Sequence, residues 1–500
     1  MDNRFNLIDE PWIPVADVGL VSLSDVFHNP DYRELVGNPV EKIALTKLLL
    51  AIAQAAATPQ DETQWRGLGS DGLAKKCLNY LEIWHNCFYL FGDRPFLQMP
   101  AIKPAKVQPY GILFSGVAAG NATIIKQSEV KRVVSEAEIA RGLVVQMSMA
   151  LGGKKVDDKI TLSAGYSEKS KSGKPGPGIG YFGYLHSFLL GENLQETLWI
   201  NLLTSQRIDQ TNMFPGGVGV APWESMPQGE DCSIAQALRD SVMGRLVPLC
   251  RFCLLTDQGL HYSEGLAHAS YKDGVVDPTM SVNYTKKDPK VLWAKTDKRP
   301  WRELTSLLSF VDQTSGTGIH NLQIRMGLER VHDFKGGFCV WSGGLQVTNN
   351  AGEQYASGKD DFVESLVRLN KKSIGKIPCM QLSSEMEALS SISGILYSCV
   401  CKFFKELNPV GEGKDQKVGK SRALKAQSLF WELCERDFQT LVYSCENGEE
   451  KGTQRIKLRR LFTSYLHSAY NQTCAQETAS QIKSWAKNRP NLFKYLKQES

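Results

Sequence analysis

The sequence predicts an α+β chain, with a large mixed N-terminal domain over residues 1–370 followed by a four-helix bundle over residues 371–500. Three observations carry this prediction. Five hundred residues exceed what one hydrophobic core organises. Between about 244 and 350, apolar runs such as RLVPLCRFCLL and GGFCVWSGGLQV are short and are broken by Asp-Gly and Gly-Gly, which is how strands are punctuated. Beyond residue 370 apolar side chains recur at three- and four-residue steps almost to the C-terminus, the period of helices.

In the first hundred residues, EKIALTKLLLAIAQAAA places Ile43, Leu48, Leu49, Ile52 and Ala56 near one helical face, which is expected to enter the core. Ser135 and Glu138 form a capping box before IARGLVVQMSMAL, and Gly152-Gly153 ends that helix. The stretch from Lys154 to Gly183 is basic and rich in Gly and Pro, too long for a mere connection. In the bundle, the first helix carries Met386, Leu389, Ile392, Leu396, Val400 and Phe403. The second runs from about Ser421 to Tyr443, and the third aligns Leu458, Leu461, Phe462, Tyr465, Leu466 and Ala469. The fourth covers about Ala475 to Leu496 and is disturbed at Pro490.

A net charge of +5 hides a segregated distribution. Residues 1–100 carry 8 Lys/Arg against 13 Asp/Glu, residues 101–175 carry 12 against 6, and residues 401–500 carry 18 against 11. Two separated basic segments on a near-neutral chain point to a polyanionic partner, most simply nucleic acid. The opening MDNRFNLIDEPWIPV lacks the basic start and apolar core of a secretory signal, and Lys47 and Gln54 interrupt the most apolar stretch. Twelve cysteines show no framework spacing. A reducing, cytoplasmic location with no membrane partner is therefore expected.

Few motifs offer catalysis. GEGKDQKVGKS at 411–421 ends like a phosphate-binding loop, but Gly413 lies five residues before Gly419 where four are required, and a helix precedes it in place of a strand. It reads as an exposed basic inter-helix loop. Cys250, Cys253, His261 and His268 could be drawn as a zinc site, yet both thiols sit in an apolar run as buried structural cysteines do. Asp360-Asp361 is a lone acidic pair beside Lys359 and reads as a solvated loop or cap. No cofactor and no metal are expected.

Three features suit nucleic acid better. Gly165-Tyr166-Ser167, leading into Lys169, Lys171 and Lys174, would let backbone approach a groove with lysines alongside; a flexible surface loop is the bland alternative. Thr348-Asn349-Asn350 follows a strand and offers small polar side chains on a tight turn, suited to insertion beside base edges or simply to reversing the chain. On the third bundle helix, Arg455 and Arg459 stand one turn apart with Lys457 and Arg460 beside them, away from most of the apolar stripe, as a contact for DNA backbone.

FNLIDEPWIPV at 5–15, the stretch from GRLVPLCRFCLL to GLHYSEGL at 244–266, GGLQVTNNAGEQYASGKDDFVES at 343–365 and the helical C-terminus together resemble the large-subunit (CasA) family of the type I-E CRISPR surveillance complex Cascade. The resemblance covers essentially the whole chain. It implies a non-enzymatic subunit that checks double-stranded target DNA for a short flanking motif (PAM), helps open the duplex, and helps recruit a helicase-nuclease. Guide RNA and the other Cascade subunits are the further partners implied. The family's glycine-rich loop falls on Gly165 to Ser167. Its wedge falls on Thr348, Asn349 and Asn350, where the family's Asn-Gln is replaced by Asn-Asn. A lysine that the family points into the minor groove falls near Ala267 or His268, with Lys272 as a substitute. Residues from about Asn121 to Arg141 correspond to a loop reaching the guide RNA. The competing class is an enzyme, an NTPase or a metal-dependent nuclease acting on nucleic acid.

Overall fold

Pro39–Ala57 is the helix on which the first half of the chain is built. Asn38 caps it by accepting from the Glu41 N–H, and Pro39 occupies the first turn, where its missing donor costs nothing. Fourteen of its nineteen residues are buried, so the helix is enclosed on every side and not only along the predicted face. It packs against the helices Glu62–Ile83 and Glu136–Ser148 and against the strand Phe338–Leu345. The computed structural model describes residues 3–114, 134–151, 183–230, 232–266, 268, 277–283, 287–308, 319–334, 336–350, 353–355, 361–407, 414–446 and 448–497.

The chain divides into two units, Met1–Pro300 with Gly318–Leu366, and Trp301–Thr317 with Val367–Ser500. In the first, the strands Phe362–Leu369, Phe338–Leu345 and His186–Leu190 form one sheet in that order. Its antiparallel register sets Trp341 opposite Phe188 and Gly343 opposite His186. The buried hydroxyls of Ser187 and Ser342, 2.7 Å apart, mark the same register in a polar pair. A second sheet orders Val107–Gln108, Gly259–Glu264 and Arg251–Thr256. Near the N-terminus Ile13–Val15 pairs with Gly19–Val21, and Val15 bridges Leu35 on its other side. Buried Trp12, whose indole N–H donates to the Leu7 carbonyl, ties this ribbon to the core.

One buried contact joins distant parts of this unit. Lys47, inside the central helix, lies 2.5 Å from Asp277 with both side chains fully buried. Burial alone would raise the Asp277 carboxyl. The charges of Lys47 and His186, with hydrogen bonds from Lys47 and Thr279, outweigh burial and hold it below the usual range. Thr279 also bonds His186 at 2.6 Å, and its carbonyl accepts from Asn321, so the segment after Asp277 is bound to the sheet strand by polar contacts.

The second unit contains three long helices, Lys376–Leu407, Lys414–Ser444 and Glu449–Thr473. The fourth member is divided: Ala479–Lys487 starts on a capping box from Thr478 and Gln481, and Phe493–Lys497 follows beyond Pro490. Trp301 lies tilted against Phe438 at 4.4 Å and meets Trp431 edge-on, so the stretch from Trp301 packs with the bundle although it lies far ahead of it in sequence. The second helix begins at Lys414 and not near Ser421. All twelve cysteines are free, and no described helix is long and apolar enough to cross a membrane.

Lys47→Met should lower the stability of the chain by about 3–5 kcal/mol, because Asp277 is left buried without its partner. Lys47→Met with Asp277→Asn should recover part of that loss. Urea unfolding of the two variants and the wild type makes the comparison; equal stability of single variant and wild type would exclude the role given to the pair.

Candidate nucleic-acid interface

The stretch from Gly183 into the strand His186–Leu190 gathers three of the segments named by the sequence. The Gly183 carbonyl accepts from the Ala294 N–H at 2.8 Å, and the Leu185 N–H donates to Leu292 at 2.9 Å. Tyr184 bridges Trp293, while His186 bridges Met280 and the Ser187 N–H donates to Thr279. Gly183 has φ +89°, and a Cβ there would lie 2.5 Å from Val347 and 2.8 Å from the Trp293 ring. The residues that follow segment 152–182, those that follow 269–276 and the base of the 348–355 hairpin therefore meet at one strand.

The hairpin itself extends the strand Phe338–Leu345. Thr348–Asn350 pairs antiparallel with Glu353–Tyr355, setting Thr348 opposite Tyr355 and Asn350 opposite Glu353. Thr348 is exposed. Its base is held where Gln346 accepts from both the N–H and the hydroxyl of Thr296, at 2.8 and 3.1 Å, and donates its own N–H to the Asp361 carbonyl. Gly344 lies where a Cβ would come within 2.7 Å of the Tyr184 carbonyl, which is why the strand needs glycine just before the hairpin. The Thr348–Asn350 segment is thus the arm of a two-stranded projection and not an isolated turn.

Two other expectations are corrected. His268 is buried, with Nε2 donating to the Pro248 carbonyl at 2.6 Å, so it supports the fold and does not face a groove. Burial, with the nearby guanidinium of Arg245, pushes its pKa down to about 3. Arg455 and Arg459 are also buried. Arg459 forms a two-pronged ion pair with Glu385, at 3.1 and 2.5 Å, and Arg455 donates to the Ser444 carbonyl. Four cations so close along a helix cannot all share one face, and here Arg455 and Arg459 turn inward while Lys457 and Arg460 remain exposed. Gly165, Tyr166, Ser167, Lys169, Lys171, Lys174 and Lys272 lie outside the described residues, as does most of the 121–141 segment.

Exposed positive charge lies in places that no motif marks. Lys287, Lys290, Lys295 and Arg299 are exposed beside half-exposed Trp293, the residue that meets Gly183 at the gathering strand. A signal for them exists in the sequence: residues 284–302 hold seven Lys/Arg against two Asp, between the two basic segments named above. In the bundle, Lys402 and Lys405 near the end of the first helix and Lys417, Lys420, Arg422 and Lys425 on the second are exposed. Gly419 packs against Phe404, which brings these two sets to one end of the bundle.

The remaining motifs lose their chemistry. Gly419-Lys420-Ser421 lies inside the second bundle helix, where its N–H groups serve the helix and cannot wrap a phosphate; it is helix, not the loop expected. Cys250 and Cys253 are buried, and burial raises the Cys250 thiol to about 11. His261 bonds the Ala105 carbonyl and His268 that of Pro248, so the four residues do not converge. Among the described residues no cluster of three His, Cys, Asp or Glu could hold a metal.

The fold described above is that of CRISPR-associated proteins of known structure. Thermobifida fusca Cse1 superposes with a TM-score of 0.75 at 18% identity, covering 99% of both chains. Thermus thermophilus CasA gives 0.74 at 18% identity, again covering 99% of both. A chain of a CRISPR RNA-guided surveillance complex gives 0.72 at 16% identity, over 98% of this chain and 100% of that one. In sequence, CasA/Cse1 of Thermus thermophilus is 29% identical over 216 residues, a match that spans 40% of each chain. The family model for CRISPR-associated protein Cse1 matches residues 6–472, and the chain belongs to that family.

Three measurements check these placements. Arg459→Ala should destabilise the chain by about 3–5 kcal/mol by stranding Glu385, whereas Lys417→Ala with Lys420→Ala should leave the melting temperature unchanged and lower the salt slope of DNA binding by about 0.9 per lost phosphate contact. His268 is neutral in the folded chain down to about pH 3, while an unfolded histidine gains a proton below about 6.5. Its contribution is therefore fully present above pH 6.5 and is lost on acidification through that window, by up to about 1.4 kcal/mol per pH unit. Urea midpoints measured from pH 7.5 to 4 should fall less steeply for His268→Gln than for the wild type.

Proposed function

We propose that this chain is the non-catalytic large subunit of a type I-E Cascade complex, working in the cytoplasm. In this reading it recognises the PAM of double-stranded target DNA, helps to open the duplex for R-loop formation, and helps to recruit the helicase-nuclease that follows. Guide RNA and the smaller Cascade subunits are its standing partners. The observation that carries the reading is the meeting of the hairpin base, Gly183 and Trp293 on one strand, with exposed lysines alongside. A sensor of this kind needs cationic side chains to hold phosphates without regard to sequence, and a narrow projection to enter a groove. Lys287, Lys290 and Lys295 supply the first and the Thr348–Tyr355 hairpin supplies the second.

Opening the first base step costs a few kcal/mol, and a polar wedge repays part of it by contacting the exposed edges. Thr348, Asn349 and Asn350 are the residues assigned to the wedge. The glycine loop at Gly165 to Ser167 and Lys272 are assigned to the groove, with Lys169, Lys171 and Lys174 on the backbone. Against the NTPase alternative stands the Gly-Lys-Ser run, which lies inside a helix and not in a phosphate-wrapping loop.

Asn349→Thr with Asn350→Thr keeps strand-forming residues in the arm but removes both amides. In the assembled complex, R-loop formation should slow at least tenfold on a fully paired target and remain near the wild-type rate on a target already unpaired beside the PAM. Equal losses on both substrates would show that these residues hold DNA or the fold and do not open the duplex.

A further inference from the structure

The outer face of the N-terminal ribbon is apolar where a free antiparallel ribbon would be polar. Ile13, Val15, Val21 and Leu35 point inward and are buried. On the opposite face the register sets Pro14 beside Leu20, and the Val36 N–H donates to the Pro14 carbonyl, so Leu20, Pro14 and Val36 form a row across three strands. Leu20 is 45% exposed, Val36 is 37% and Val18, at the turn, is 52%. Leu35, on the inner face beside Val36, lines a narrow cleft together with Leu49, Phe188, Leu194, Leu198 and Trp341. Arg33 and Glu34 stand exposed at its mouth, and the Lys42–Glu364 ion pair sits beside it.

Charge decides what can cover this face. Residues 9–36 hold six acids, Asp9, Glu10, Asp17, Asp25, Asp31 and Glu34, against one arginine. All six are exposed. Asp9 pairs with His85 and Asp25 serves a helix cap, but Asp17 sits in the ribbon's turn and the Glu34 carbonyl accepts from Ala16, so two exposed acids flank the row. Such a flank repels a phosphate backbone and attracts an apolar protein segment flanked by cations. A cleft beside an apolar row is also the arrangement that receives an anchoring side chain at a protein interface.

We propose that the Pro14–Leu20–Val36 row and the adjoining cleft form a docking surface for a protein subunit of the same complex. That partner presents a large apolar side chain flanked by Lys or Arg. The inference rests on the reading that the chain works inside a multisubunit assembly, and it places a protein partner on the N-terminal ribbon.

The test uses the complex assembled from all its subunits and guide RNA, measuring the affinity of this chain for the remainder of the complex. Leu20→Glu with Val36→Glu should weaken that affinity at least tenfold, and Asp17→Asn with Glu34→Lys should weaken it and reduce its salt dependence. All four positions are exposed, so circular dichroism melts should match the wild type. A photo-crosslinking residue at Val36 should label a protein subunit. Unchanged affinity for both double variants, or labelling of guide RNA or target DNA in place of protein, would overturn the proposal. Failure of the wild-type chain itself to join the remainder would instead overturn the functional reading on which it rests.

Discussion

The Lys47–Asp277 pair is the contact on which the rest of the first unit depends. A lysine in the middle of an enclosed helix has no route to water, so its charge must be answered from within, and Asp277 arrives from 230 residues further along the chain to do so. Asp277 in turn fixes Thr279, Thr279 binds His186 and Asn321, and His186 begins the strand on which the hairpin base and Trp293 converge. A buried ion pair contributes little net stability compared with apolar packing, but it tolerates only one arrangement. Here it specifies which segment follows which strand.

Much of the fold could be read from the sequence, because period and punctuation are local. The bundle's apolar stripes, the Ser135 capping box and the break at Pro490 all have causes within a few residues. What could not be read depends on partners distant in sequence. The packing of Trp301 on Phe438 is a contact between residues 137 apart, with no periodic signature. Lys47 was legible only as an interruption in an apolar run; that it is a buried cation follows from Asp277.

Charge shows the same division. Arg455 and Arg459 looked solvent-facing because arginine usually is, yet a helix packed on two neighbours has an inward side that polar residues can share if they are paired, and Glu385 and the Ser444 carbonyl provide the pairing. Lys457 and Arg460 stay exposed, and further exposed cations lie on the helices either side of residues 408–413 and around Trp293, where no motif drew attention to them. Composition located the excess of positive charge in the C-terminal hundred residues; only packing sorts it into structural and accessible shares.

The hairpin after Gly344 has a definite length. Three paired residues per arm, at about 3.3 Å each, carry its tip roughly 10 Å beyond its base. The minor groove of DNA is about 7.5 Å deep. Under the proposed reading an arm of this length matches that depth, and adding or removing one pair of residues would change its reach by nearly half of it. The hydrogen bonds of Gln346 with Thr296 fix the point from which that length is counted.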